Sequence, residues 1–271
     1  MRSHKEQAIE NKIIQMLESL NLTGKALAAA KVLLTDEEIQ AAQEYANTVS
    51  IVRLNFNDHG PVHMRTVVLN VIIMASLLRQ AGIKTNLEKE ECGDFEDSLV
   101  AMMFAAMLHD LGMGIGRHDH ELHSTYLSYP IMDRLLAQVY SGKLQSKVIV
   151  RSMAIEGISG HMGNRAIYSL EAGIIQVADG CDMTKGRARI PIALNDTPRA
   201  GHIHQYSASS IEEVKLTAGA EKPIRIDVSM SSDVGLFQVE EVLLTKIAAS
   251  TAKPFIELYA QVLNGAARRY L

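Results

Sequence analysis

Tryptophan is absent from this 271-residue chain, and aromatic residues make up only 5 % of it. Ala, Leu, Ile and Met must therefore fill the core, a composition that leans helical. The two cysteines, Cys92 and Cys181, stand in unrelated contexts with no CxxC spacing. That argues against a disulfide framework and fits free thiols in a reducing compartment. Positive charge is not in excess: 27 Lys and Arg face 31 Asp and Glu, a net charge of -4. No electrostatic footprint for nucleic acid is present, so duplex nucleic acid is not an expected partner. Residues 1–11 are polar and charged. No signal or membrane-spanning run is read there, so a cytoplasmic location without a membrane partner is expected. Internal repeats and low-complexity segments are also lacking. The length suits one large core, or one domain with a small appendage.

What the chain has in quantity is histidine. Ten are present, six of them between residues 59 and 123. Ile9, Ile13, Met16, Leu17 and Leu20 predict a first amphipathic helix over residues 5–21. Thr35-Asp36-Glu37-Glu38 reads as a capping box ahead of a second helix, with Ile39, Ala42, Ala46 and Val49 on its buried side. Pro61 suits the first turn of a third helix, apolar nearly all round to Leu78 and therefore central. Residues 82–97 are charged and read as a solvated loop. A fourth helix, wholly apolar from Leu99 to Leu108, ends in His109-Asp110. Glycines follow at once, at 112, 114 and 116, so the helix stops and the backbone can come close to whatever the pair holds.

A fifth helix is expected to begin at His123 and run to about Leu135. A sixth ends near residues 157–160, directly before His161, and a seventh runs over 170–182 from a Ser169 cap. Residues 190–202 carry proline and glycine without a period and read as surface loop. From about Ser207 the pattern changes to period two, at Val214/Leu216, Ile224/Ile226/Val228/Met230 and Ile256/Leu258/Ala260/Val262, with a helical stretch over 238–249. The expected fold is mostly α: a helical body over residues 1–206 and a small C-terminal α+β (β-β-α-β) subdomain over 207–271. So small a sheet must pack on the body or on a partner.

Burying an imidazole and a carboxylate side by side is costly unless something satisfies them, and a divalent cation would satisfy both. The plain alternative is a helix terminus where histidine favours the dipole and aspartate caps the next loop. Other candidate ligands fall at helix ends: His63, His123, His161 and Asp179 join His109 and Asp110. His63 competes with His59, four residues earlier on the same face, and His59 then contacts phosphate or merely caps. His123 competes with His118 and His120. Asp179 could instead pair with Lys185, and His161 could simply follow a helix. Glu121 and Asp182 could orient imidazoles or stand exposed. Helical bundles build metal sites in this way, with one or two side chains from each of several facing helices. Nitrogen and carboxylate donors without thiolate suit one or two divalent ions of Fe, Mn, Zn, Co, Ni or Mg. If Asp110 bridges two ions, they would clamp a phosphate for in-line hydrolysis. Arg117, Lys185, Arg187 and Arg189 are basic residues able to hold that phosphate, or else a solvated loop.

His63, then His109-Asp110, then Asp179 in Gln176-Val177-Ala178-Asp179 resemble the H…HD…D signature of the HD-domain metal-dependent phosphohydrolases. His123 in His123-Ser124 and His161 in Gly160-His161-Met162 are similar to the two extra histidines of the dimetal branch. That branch contains the HD-GYP enzymes and bacterial HD enzymes that cleave diadenosine tetraphosphate. The resemblance covers roughly residues 55–190 and does not specify a substrate. Met113 stands where HD-GYP enzymes usually carry a lysine, and the GYP tripeptide is missing, which argues against cyclic-dinucleotide cleavage. The C-terminal piece resembles a module of uncharacterised prokaryotic HD proteins, which implies a homodimer formed through it.

The resemblance implies a phosphohydrolase acting on a nucleotide or other small phosphate ester with metal-activated water. Asp110 would ligate and also orient or deprotonate that water. His59, Arg117, Lys185, Arg187 and Arg189 would contact phosphate, with Lys185 taking up developing charge. The alternative is a metal-containing HD scaffold that senses a nucleotide without turnover. Met113 in place of lysine favours it, and intact ligands at every motif position oppose it.

Overall fold

The computed structural model describes residues 2–187, 203–263 and 265–271. The chain is mostly helical, with a small four-stranded sheet near its C-terminus. Helices α1 (His4–Ser19), α2 (Lys25–Thr35), α3 (Glu37–Thr48), α4 (Pro61–Gln80), α5 (Asn86–Lys89) and α6 (Phe95–Leu108) come first. They are followed by α7 (His120–Val139), α8 (Leu144–Gly160), α9 (Leu170–Gly180), α10 (Ile203–Ser209) and α11 (Leu244–Ala249). α4 is central, as its all-round apolarity predicts. Among the described residues it is also the one helix long and apolar enough to cross a bilayer, but 67 % of that stretch is buried inside the molecule. Every residue of α6 except Glu96 is buried.

Two elements depart from expectation. α2 follows directly after the break at residues 21–24, where the sequence carries no capping side chain: its N-cap is Gly24, and alanine-rich propensity with burial of one face sustains it. Residues 82–97 are not a solvated loop. Thr85 and Glu88 close a capping box on the single turn of α5, Leu87 is buried, and the buried Glu171 carboxylate accepts the Asn86 and Leu87 amides at 3.1 Å each. Asp94 and Asp97 then cap α6, which starts at Phe95. At α3 the cap is Asp36, accepting from the Ile39 amide at 3.0 Å, while the Thr35 hydroxyl turns back to the Lys31 carbonyl.

In the sheet, β1 (Ile211–Thr217) pairs antiparallel with β2 (Ile224–Met230), and β2 pairs parallel with β3 (Ile256–Val262). The parallel pair requires a crossover, supplied by a π-helical stretch over Gln238–Leu243 that continues into α11. The β-β-α-β order is as expected, with a fourth strand, β4 (Arg268–Arg269), added beyond it. Ile224, Ile226, Val228 and Met230 turn inward and join one hydrophobic core that also contains Ile13, Val67 and Phe104 of the helical body.

Two polar devices fix the end of α6. Arg65 is wholly buried in α4; it donates to Glu10 of α1 at 2.7 Å and to Gln40 and Gln43 of α3 at 2.8 and 3.0 Å. Gln43 in turn donates to the Met107 carbonyl at 2.8 Å. On the other side, Gly112 lies in a 3-10 turn (Leu111–Gly114), and its amide donates to the Ser124 hydroxyl at 2.8 Å. A Cβ at Gly112 would stand 2.0 Å from the His120 carbonyl oxygen and 2.7 Å from the Ser124 nitrogen. Only a residue without a side chain lets the start of α7 lie this close. Gly112→Ala is therefore expected to destabilise the protein by more than about 2 kcal/mol. Chemical denaturation of the two proteins in parallel measures it; a change below about 0.5 kcal/mol would mean that α7 is not seated against this turn.

Candidate metal centre

Asp110 sits at the centre of the buried polar cluster, and its two oxygens face different partners. Oδ2 is 3.3 Å from His63 Nε2 and 3.3 Å from His109 Nε2. Oδ1 is 3.3 Å from His120 Nε2 and 3.5 Å from His161 Nε2. Asp179 Oδ1 adds to the first group, 3.3 Å from His63 Nε2 and 3.7 Å from His109 Nε2. Three overlapping trios have their ligating atoms within 4.8 Å of one another: His63–His109–Asp110, His109–His161–Asp179 and Asp110–His120–His161. All six side chains are buried.

The far side of each imidazole is anchored. His109 Nδ1 meets the Ala106 carbonyl at 2.9 Å, His120 Nδ1 the Arg117 carbonyl at 3.0 Å, and His161 Nδ1 the Ile158 carbonyl at 2.7 Å. Each of these carbonyls lies three residues before its histidine. His63 Nδ1 instead meets Asp182 Oδ2 at 2.7 Å. A carbonyl or carboxylate oxygen only accepts, so the proton of each ring belongs on Nδ1 and the Nε2 lone pairs point inward. There they converge in pairs, His63 with His109 and His120 with His161, each at an Nε2–Nε2 distance of 3.2 Å. Two lone pairs at that separation repel unless a proton or a cation lies between them. The donor set and its anchoring therefore fit divalent cations held between nitrogen and carboxylate.

Electrostatics agree. Burial disfavours charge on His109, yet the Asp110 and Asp179 carboxylates beside it outweigh burial and raise its pKa to about 9. Burial pushes His161 down to about 4, with His109 and His120 adding to the effect against the pull of Asp110. Burial would raise both aspartates, but His109 and His59 hold Asp110 well below the usual carboxylate range, and Lys246 with His109 and His63 does the same for Asp179. The cluster is thus a concentration of acceptors that keeps negative charge in the interior.

A cavity of about 350 Å³ opens onto the cluster, and Asp110, His161 and Asp179 form part of its wall. His59 and Arg117 also line it. His59 is held by the Asn57 carbonyl and the Ser50 hydroxyl, with its ring 6.0 Å from that of His63. The Arg117 guanidinium lies 5.6 Å from the centre of the Phe56 ring, another wall residue.

Two expected site residues are placed elsewhere. His120, not His123, enters the cluster, because α7 begins three residues earlier than its apolar pattern suggests. His123 then points a different way: its Cβ lies against Gly112, and its Nδ1 is buried without a hydrogen-bond partner among the described residues. His118 is exposed and pairs with Asp119. Lys185 does not line the cavity; it stands exposed in a 3-10 turn after α9 and pairs with Glu212 of β1. The Arg187 side chain and Arg189 lie outside the described residues. Asp182 and Glu121 both act as anchors rather than exposed charges, Glu121 with an oxygen 3.4 Å from His120 Nδ1 and the other accepting from Asn164 at 3.0 Å. Sequence reasoning missed Lys246 of α11, which pairs with Asp179 in the place considered for Lys185. A lone lysine on a helix beyond the cluster gave no signal.

No protein-family model matches the chain, and no solved structure matches it significantly. The chain is similar to the uncharacterized protein MJ1020 of Methanocaldococcus jannaschii, 39 % identical over 230 residues that cover 85 % of this chain and 86 % of that one. Identity at that level, sustained over nearly all of both chains, is common descent: this chain belongs to the family of MJ1020.

Proposed function

We propose that the protein is an HD-type, metal-dependent phosphohydrolase acting on a nucleotide or another small phosphate ester. One observation carries the reading: the two oxygens of Asp110 face two separate pairs of imidazoles, the arrangement of a carboxylate that bridges two ions. His63, His109 and Asp179 would hold one ion and His120 and His161 the other, with Asp110 common to both. The order His63, His109-Asp110, Asp179 supports the HD resemblance, with His120 and His161 as the additional pair. Bound divalent ions supply Lewis acidity toward phosphoryl oxygens and bring water toward its ionised form at neutral pH.

The chain's own residues do the rest. Asp182 and the three backbone carbonyls fix each imidazole in the tautomer that presents Nε2. Arg117, at the cavity wall, offers a planar fork for a phosphate's non-bridging oxygens. His59, beside Asp110 in the same wall, is placed to donate a hydrogen bond to substrate or to give a proton to the oxygen of a departing leaving group. Phe56 supplies an apolar surface for a base or another planar group.

Metal analysis of protein purified without chelator is expected to find two ions per chain. His120→Ala should reduce that to one, and Asp110→Ala should abolish both. Wild-type protein should hydrolyse at least one member of a panel of nucleotides and aryl phosphates with Mn²⁺ or Fe²⁺, and His109→Ala should lose at least about 100-fold of that rate. Metal at full occupancy without turnover on any of them would make the protein a nucleotide sensor instead. No bound metal at all would end the assignment.

Metal binding should also depend on pH in a defined direction. His109 is protonated at neutral pH in the metal-free site, and its raised pKa of about 9 means that an entering ion must displace that proton. Affinity should therefore rise with pH, by up to about tenfold per unit below pH 9, with one proton released per ion bound at that position. Calorimetric Mn²⁺ titrations in buffers of different ionisation enthalpy read the proton count. A pH-independent affinity between 6 and 8 would show that no proton is displaced from His109 on binding.

A further inference from the structure

Lys246 comes from the C-terminal segment, yet its side chain is buried against the candidate metal centre. Its ammonium pairs with Asp179 Oδ2 and donates to the His161 carbonyl at 3.1 Å. It also lines the cavity onto which the cluster opens. An ammonium has three protons. Two are used by these partners, and among the described residues no protein acceptor takes the third. Asp179 is thereby divided: Oδ2 belongs to Lys246, and Oδ1 faces His63 and His109.

The approach of this segment is built into α9. Gly173 and Gly180 lie seven residues apart, on one face of the helix. A Cβ at Gly173 would stand 2.1 Å from Thr251 Oγ1 and 2.8 Å from the Ala252 nitrogen. One at Gly180 would come within 3.2 Å of Leu243 Cδ1 and of Lys246 Cδ. Two hydroxyls then fasten the contact: Ser250 to the Gly173 carbonyl at 2.9 Å and Thr251 to the Ser169 carbonyl at 2.7 Å. Gln238, Glu241, Val242 and Thr245 complete this wall of the cavity.

We propose that Lys246 binds the phosphoryl group of the substrate in this cavity while holding Asp179 with a single oxygen toward the ions. The segment over 238–252 is then part of the active site. The proposal rests on the phosphohydrolase reading only for the identity of the anion. It also gives the site a cation where Lys185 gives none, since Lys185 is engaged at the surface with Glu212.

Three variants and one probe test it. K246M removes the charge and the donors, K246Q keeps an amide donor for Asp179 or the His161 carbonyl, and K246R keeps the charge. Inorganic phosphate is titrated calorimetrically into each full-length protein, with and without Mn²⁺, after metal content and melting temperature have been measured on the same samples. K246M and K246Q are expected to weaken phosphate binding by about 10- to 100-fold, and K246R to restore most of it. K246Q should keep the wild-type number of ions. With any substrate that is turned over, K246Q should raise KM by more than it lowers kcat. Phosphate affinity in folded K246Q within about twofold of wild type overturns the proposal. So does loss of phosphate binding that merely tracks loss of ions across the three variants, or a wild-type protein that binds no phosphate in either state. Failure of the hydrolase reading looks different: wild type binds phosphate through Lys246 but turns nothing over.

Discussion

Four imidazole nitrogens are forced to face one another, and the rest of the structure is arranged to hold them there. Each ring is locked from behind by an acceptor that cannot give a proton back, so its lone pair has nowhere to point but inward. Buried ring nitrogens 3.2 Å apart are an unfavourable arrangement unless a proton or a cation lies between them. Asp110 and Asp179 add negative charge in the same place. A site with this balance could hold a metal ion.

Helix ends supply the locks. The final carbonyls of a helix lack partners within it, and α6 and α8 both end directly before a cluster histidine. The Ala106 and Ile158 carbonyls, which would otherwise need water or a capping group, take the Nδ1 protons of His109 and His161. His120 repeats the three-residue step at the start of α7. The buried Gln176 amide donates to the Gly160 carbonyl at 3.1 Å and so steadies the residue before His161. Backbone geometry and ligand geometry are one design, and short glycine-lined contacts such as that at Gly112 let the helix ends meet.

Much of this was legible in the sequence. The apolar run ending in His109-Asp110, the all-round apolarity of α4, the helix end before His161 and the Ser169 cap placed five of the six cluster residues on the right elements. The β-β-α-β order followed from the change of period near Ser207. What failed did so for physical reasons. His120 lost to His123 because the apolar stripe of α7 starts only after its first turn, so periodicity misplaces the helix start. α2 escaped notice because glycine, not a hydroxyl or carboxylate, precedes it. Sequence proximity offers Lys185 as the alternative partner of Asp179, whereas α11 brings Lys246 there from far along the chain. Pattern reading reports local period and local caps; contacts across the fold leave no such trace.

The buried guanidinium of Arg65 has a reach beyond packing. Through Glu10 it grips the first helix, and through Gln43 it touches the carbonyl two residues before His109. The opening helix is thus wired to the HD turn by an unbroken polar chain in a dry interior, where such links do not slacken easily. Substitutions in α1, far from the cluster, would be felt as a shift in the aim of His109.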